Sequence, residues 1–188
     1  PVQLSWGEGL PDLHLRLELL AGKRPHTPGF VLDENALRRV KEQAQNLRQR
    51  LRETGTSINP ELAGLLTALA YPDRLAQREA SGKVRLVTGQ RANLPTELFG
   101  EAAYYAVAHL DLGKQPRVLL AAPLTKTDLL EHFEEQLETL EEVRWNESTQ
   151  QVIARKITKL GALVLEEAAI AKPNPEQVAE ALLQALQE

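Results

Sequence analysis

Leu69–Arg78, LAYPDRLAQR, divides this chain of 188 residues into two kinds of sequence. Just upstream, Asn59 and Pro60 offer a cap and a first-turn proline, and Leu62, Leu65, Leu66 and Leu69 form the apolar face of a helix that ends before Pro72. Within the stretch, Pro72 stops the helix, Tyr71 anchors the junction, and Asp73 and Arg74 pair or cap nearby backbone, with direct ligand contact as the alternative. Downstream the pattern changes. Segments 83–94, 103–112 and 116–122 are short, rich in Val, Leu, Tyr and Ala, and separated by Gly, Pro or Asp, as strands are.

Working outward toward the N-terminus, Pro11–Ala21 carries leucines at both helical and alternating spacing, and its Leu, Arg and Glu content favours a helix ending at Gly22. The GKRPHTPG stretch breaks it. From Asp33, a fitting N-cap, Leu37, Val40, Ala44, Leu47 and Leu51 repeat every three or four residues until Gly55. Toward the C-terminus, Thr127 or Asp128 caps a helix through Leu130, Phe133, Leu137 and Leu140. Strands resume at Val143 and at Gln151–Ala168, with NESTQ as the turn between them. Asn174, Pro175 and Gln177 then supply a cap, a first-turn proline and the third position of a capping box for a closing helix with Val178, Leu182 and Leu186. The expectation is an α+β protein: an N-terminal helical segment, 1–56, packed on an OB-like barrel with an inserted helix and a C-terminal helix, 57–188.

Composition bounds the possibilities. With 43% hydrophobic and 26% charged residues the chain builds a real core in one or two small domains, and aromatics at 4% leave that core to Leu, Val, Ile and Ala. Cysteine is absent, which removes disulfides, thiolate metal sites and cysteine nucleophiles together. No apolar run approaches the roughly 20 residues that span a bilayer, and PVQLSWGEGL lacks the features of a signal peptide. A soluble, cytoplasmic protein without a membrane partner is expected. Methionine is absent too, so Pro1 follows a removed initiator or further protein upstream.

Catalytic signatures are missing. A nucleoside triphosphatase needs a Gly-rich loop, a Lys and a hydroxyl. Gly-Lys occurs at 22–23, 82–83 and 113–114, never with a glycine five places earlier or a following Ser or Thr. Phe30–Glu34 mimics the apolar strand plus Asp-Glu that holds magnesium in such enzymes, but a cap at Asp33 with Glu34 at the positive helix end accounts for it. His14, His26, His109 and His132 lack paired metal spacing, and no Gly-x-Ser-x-Gly elbow is present. Glu131, Glu134, Glu135, Glu138, Glu141 and Glu142 flank an apolar stripe and read as a solvated helix face, with paired acid-base carboxylates as the weaker alternative. Trp145 precedes a turn and reads as hairpin packing more readily than as a base-stacking platform; Trp6 has too little context to assign.

Net charge is −4, which disfavours a chain that mainly grips phosphate backbones, but the sign reverses locally. Lys83, Arg85 and Arg91 share one short segment without acids, and Arg155, Lys156 and Lys159 another; Arg38, Arg39, Lys41, Arg48, Arg50 and Arg52 form a diluted third group. Period-two geometry aims Lys83, Arg85 and Arg91 to one side and gives Arg155 and Lys159 a common face. If these hairpins adjoin in a barrel, they form a positive patch suited to phosphate contacts. Solvated charges blunting a sheet edge explain them almost as well.

LAYPDRLAQR, VLLAAPL at 118–124, EEVRWN at 141–146 and LGALVLEEAAIAKPNPE at 160–176, in that order and spacing, resemble the region that follows the motor domains of HrpB-type DExH-box ATP-dependent helicases. The resemblance implies a non-catalytic accessory piece, the end of a helical domain plus an OB-like domain. ATP and magnesium belong to the parent's motor domains, and no catalytic residue or cofactor carries over. Implied partners are those motor domains in the same polypeptide and single-stranded nucleic acid, expected to be RNA, with Lys83, Arg85, Arg91, Arg155, Lys156 and Lys159 on phosphates. The alternative is a protein-interaction or regulatory module without nucleic-acid contact.

Overall fold

The computed structural model describes residues 2–3, 11–24, 30–52, 57–94 and 101–186. The short strands β1 (Val2–Gln3) and β2 (Phe30–Val31) pair in parallel on either side of α1 (Leu13–Leu20). Asp12 caps α1 through its carboxylate, which accepts from the Leu15 N–H, and the backbone just before the helix runs beside the strand at Ala121. α2 (Glu34–Leu51) begins as expected: Asp33 accepts from the N–H groups of Asn35 and Ala36. It ends at Arg52 in the left-handed conformation, φ 56°; Gly55, the expected stop, lies outside the described residues, as do Trp6, His26 and most of GKRPHTPG.

Asn59 and Pro60 open a 3-10 turn that leads into α3 (Ala63–Ala70). The buried face of α3 is its small one, Ala63, Gly64, Thr67 and Ala68, whereas Leu62, Leu66 and Leu69 remain 45%, 61% and 52% exposed. The close approach explains this. A Cβ at Gly64 would sit 2.0 Å from the Pro123 carbonyl oxygen, so only glycine lets the helix lie this near the barrel wall. After Tyr71, Pro72–Arg74 form a second 3-10 turn. The Arg74 guanidinium lies 4.8 Å from the centre of the Tyr71 ring and donates to the Ala108 carbonyl, holding the junction from outside the core.

Five strands then close a barrel: β3 (Leu75–Arg78), β4 (Lys83–Leu86), β5 (Arg91–Asn93), β6 (Tyr104–Asp111) and β7 (Arg117–Leu124), in the order β3-β4-β5-β7-β6. Pairing is antiparallel except where β5 meets β7, at Asn93 and Arg117. This is the Greek-key ring of an OB-like fold. Segment 83–94 is two strands rather than one, because Gly89 at φ 89° turns the chain back between them. Alternation fills the ring: Ala76, Val84, Leu86, Ala92, Leu94, Tyr105, Val107, Val118 and Ala121 form one core cluster.

α4 (Lys126–His132) follows the last barrel strand. Its cap is Thr125, two residues earlier than the earliest expected, in a reciprocal box with Asp128. The helix stops at Phe133, and Leu137 and Leu140 belong to a strand. β8 (Leu137–Asn146), β9 (Gln151–Leu160) and β10 (Leu163–Ala169) make a separate antiparallel sheet, β10-β9-β8, outside the barrel. Long-range pairing thus overrides the three-four spacing that favours helix through Leu140.

A second core cluster joins sheet, barrel and helices: Leu75, Tyr104, Ala106 and Leu124 meet Leu129 from α4, Phe133 at its end, and Leu160, Leu163 and Leu165 from the sheet. The Gln77 amide donates to the Val164 carbonyl and accepts from its N–H, and the Ala162 N–H donates to the Val87 carbonyl. α5 (Pro175–Ala185) closes the chain against β8 and β9. Asn174 caps it as expected, but the side-chain oxygen of Gln177 is buried without a partner, so the capping box is not completed.

Candidate nucleic-acid interface

Because Val84, Leu86 and Ala92 must point into the barrel, Lys83, Arg85, Arg91 and Asn93 must point out. Register sharpens the grouping: Lys83 faces Asn93 and Arg85 faces Arg91. The β6–β7 loop lies alongside, pinned by the Asn93 N–H donating to the Pro116 carbonyl at 2.8 Å. Lys83, Arg91, Asn93, Lys114, Gln115 and Pro116 line a shallow depression of about 380 Å³. Across residues 79–94 and 111–117, five cations (Lys83, Arg85, Arg91, Lys114, Arg117) stand against two carboxylates, Glu79 and Asp111. Arg117 pairs with Asp111 at 3.6 Å.

Glu79 opens the β3–β4 turn, where its N–H donates to the Lys83 carbonyl and its carbonyl accepts from the Gly82 N–H. Its carboxylate bridges both arginines. Arg85 reaches Oε1 through Nη2 at 2.8 Å and Nε at 2.9 Å, and Arg91 Nε lies 3.0 Å from each oxygen. Hydrogen bonds from Arg85 and then Arg91 hold the Glu79 carboxyl below the usual carboxylate range. Neither Lys83 nor Lys114 forms an ion pair among the described residues. The described residues of this face include no aromatic side chain, so it offers phosphate contacts without a stacking platform.

Arg155, Lys156 and Lys159 sit on β9, in the other sheet. Arg155 and Lys159 share one face and Lys156 points to the opposite one. Each stands directly across from a glutamate of β8: Glu142 opposite Arg155, Glu141 opposite Lys156, Glu138 opposite Lys159. Arg155 is fixed on both sides, by Glu142 and by Glu167 at 2.7 Å; those bonds raise its pKa. The six expected cations therefore do not adjoin in one barrel, and part of the acidic segment expected on a helix forms the strand that lies opposite three of them, with Arg155 ion-paired to it.

Sequence reading passed over Lys114 and Glu79. Gly113 and Pro116, which punctuate two strands around Lys114, were the signal for a basic loop beside β5, whereas nothing local marks Glu79 as the partner of residues six and twelve positions away. Elsewhere, Trp145 is half-buried opposite Val152 on the β8–β9 hairpin. His14 meets Glu61 at 3.2 Å. Asp33 spends its carboxylate on the α2 cap. Among the described residues no cluster of His, Asp and Glu is arranged to hold a metal ion, and no helix is long and apolar enough to cross a membrane.

No curated protein sequence matches the chain. Residues 136–170, which span β8, β9 and β10, match the family model "ATP-dependent RNA helicase HrpB, connector region". Two solved structures share the fold: the E. coli DExH-box NTPase HrpB and the Escherichia coli DEAH/RHA helicase HrpB, each with a TM-score of 0.57, 20% identity and 96% of this chain covered. The chain spans 23% of the length of each. LAYPDRLAQR and VLLAAPL fall in the part aligned by fold, while EEVRWN and most of LGALVLEEAAIAKPNPE fall in the connector match. The resemblance to HrpB-type helicases is thereby borne out: the chain carries a segment that matches the HrpB connector region beside an OB-like barrel, in a fold shared with E. coli HrpB.

Proposed function

We propose that this chain is the accessory region of an ATP-dependent RNA helicase, with no ATP turnover of its own, and that its barrel contributes one wall of the path taken by single-stranded nucleic acid. The observation that carries the reading is the cationic depression on β4, β5 and the β6–β7 loop, formed by Lys83, Arg91 and Lys114. In OB-like barrels the second and third strands and the loops after the first and fourth are where oligonucleotides lie; β4, β5, the Glu79–Gly82 turn and the Lys114 loop are those elements here. The contacts are to phosphates, Lys83 and Lys114 as point charges and Arg91 as a fork. On β9, in the separate sheet, Arg155 is committed to Glu142 and Glu167, while Lys156 and Lys159 lie opposite Glu141 and Glu138 in the ladder. ATP and magnesium act in motor domains of the parent. Fluorescence anisotropy with labelled oligo(U) at low salt tests the reading: the wild-type chain binds weakly and K83E/R91E/K114E does not. Equal affinity for both proteins rejects it.

The exposed leucines favour a second role beside the first. Leu47 and Leu51 on α2, Leu62 in the turn before α3, Leu66 and Leu69 on α3, and Leu182 and Leu183 on α5 are large apolar side chains left in solvent. They support docking against the motor domains of the same polypeptide. Pull-down of separately expressed motor domains, unaffected by nuclease and lost in L62S/L66S/L69S, is the expected result; retention by that variant removes α3 from the interface.

A further inference from the structure

The arginines of the proposed phosphate-binding face are not vacant. Glu79 places one carboxylate against both, with four N–O distances between 2.8 and 3.0 Å. A carboxylate and a phosphate ester present the same kind of oxygen pair to a guanidinium, so Glu79 occupies the position an incoming phosphate would take. Its side chain is 22% exposed and those of Arg85 and Arg91 are 39% and 55% exposed, so a strand in solvent reaches the trio directly. The backbone of Glu79 is fixed at both ends of the Glu79–Gly82 turn. Displacing the carboxylate therefore needs rotation of its side chain and no movement of the barrel.

Building on the nucleic-acid reading above, we infer that Glu79 is an internal competitor for the anion site: its carboxylate holds Arg85 and Arg91 until a phosphate of a bound strand displaces it, and this exchange sets the affinity of the face. Lys83 and Lys114 make the first contact. Arg85 and Arg91 join only when Glu79 yields. The device keeps the face weak and salt-sensitive, which suits a surface that must release a strand as readily as it takes one.

The test is oligo(U) anisotropy with the 188-residue chain at about 50 mM salt, comparing wild type, the near-isosteric E79Q, and E79Q in an R85Q/R91Q background. E79Q tightens binding about fivefold, the order expected when two exposed ion pairs no longer have to be broken. The salt dependence steepens by about one phosphate's worth of slope, roughly 0.7, and both gains vanish in the R85Q/R91Q background. R91Q alone is the second background, since Arg91 is the more exposed partner; there the gain from E79Q shrinks. A gain that persists undiminished without the arginines marks general repulsion and overturns the inference. Binding by wild type with no gain in E79Q overturns the inference and leaves the nucleic-acid role standing. Absence of binding by both wild type and E79Q overturns the role itself and the inference with it.

Discussion

Segments 83–91 and 155–159 each carry three cations on strands, but the β4–β5 hairpin and the β8–β10 sheet put them to different uses. In the connector sheet each cation of β9 has a glutamate directly across the ladder on β8. In the barrel, Lys83 faces an asparagine, Arg85 faces another arginine, and one glutamate from the adjoining turn serves both arginines. Charge matched strand to strand holds a sheet together. On the barrel hairpin the charges are not matched across the ladder, and Lys83 has no ion-pair partner among the described residues. The number of basic residues in a segment therefore says little until the opposite strand is known.

The comparison breaks most visibly in the core that joins the two halves. Leu163 is fully buried among Leu129, Phe133, Leu160 and the barrel strands. Leu163→Ala should cost about 2–5 kcal/mol, read as an urea midpoint shift in circular dichroism; a loss under about 1 kcal/mol would mean that sheet and barrel are not packed as one body. Next comes the barrel face. K83E/R91E/K114E should weaken oligo(U) binding about 100-fold at low salt, roughly 2.7 kcal/mol, with little change in melting temperature because these side chains lie outward. The matched experiment on the connector, Lys159→Glu, should do the reverse. Affinity changes less than about threefold, while like charges opposite Glu138 cost about 0.5–1 kcal/mol; adding Glu138→Lys restores the loss. A connector variant that weakens binding as much as the barrel variant would erase the distinction.

The smallest effect concerns pH. Glu79 titrates below the ordinary carboxylate range because Arg85 and Arg91 favour its charged form. The stability this pairing gives is therefore complete above the unfolded carboxylate range and is lost only as pH falls through the lower folded value. Between pH 8 and 5 the carboxylate stays ionised, so the ratio of E79Q to wild-type affinity should be flat over that window. A ratio that collapses near pH 6 would place another group in control of the arginines.

Much of the fold was legible from local signals with a steric or hydrogen-bonding cause. Asp33, Asn59–Pro60 and Asn174–Pro175 announce helix starts because caps and first-turn prolines act within three residues. Pro72 marks the border of helix and barrel for the same reason. The second sheet was harder to see, because Leu130, Phe133, Leu137 and Leu140 obey helical spacing and only the partner strand at 151–160 decides against it. Exposure of the α3 leucines was hidden as well: the buried face is chosen by how closely Gly64 approaches Pro123, which no hydrophobic pattern records. In the candidate site, alternation aims Lys83, Arg85 and Arg91 outward. Their separation from Arg155, Lys156 and Lys159, the arrival of Lys114 and the clasp by Glu79 depend on strand order, a property of the whole chain.

Gln77 deserves a last look for what it does to an open border. β10 is an edge of its sheet, and edges invite foreign strands to bind. By offering Val164 both a donor and an acceptor, the Gln77 side chain imitates one rung of a neighbouring strand and takes up both peptide groups there. The barrel thus chaperones the margin of the connector, and Gln77→Leu would leave that rung open to another molecule.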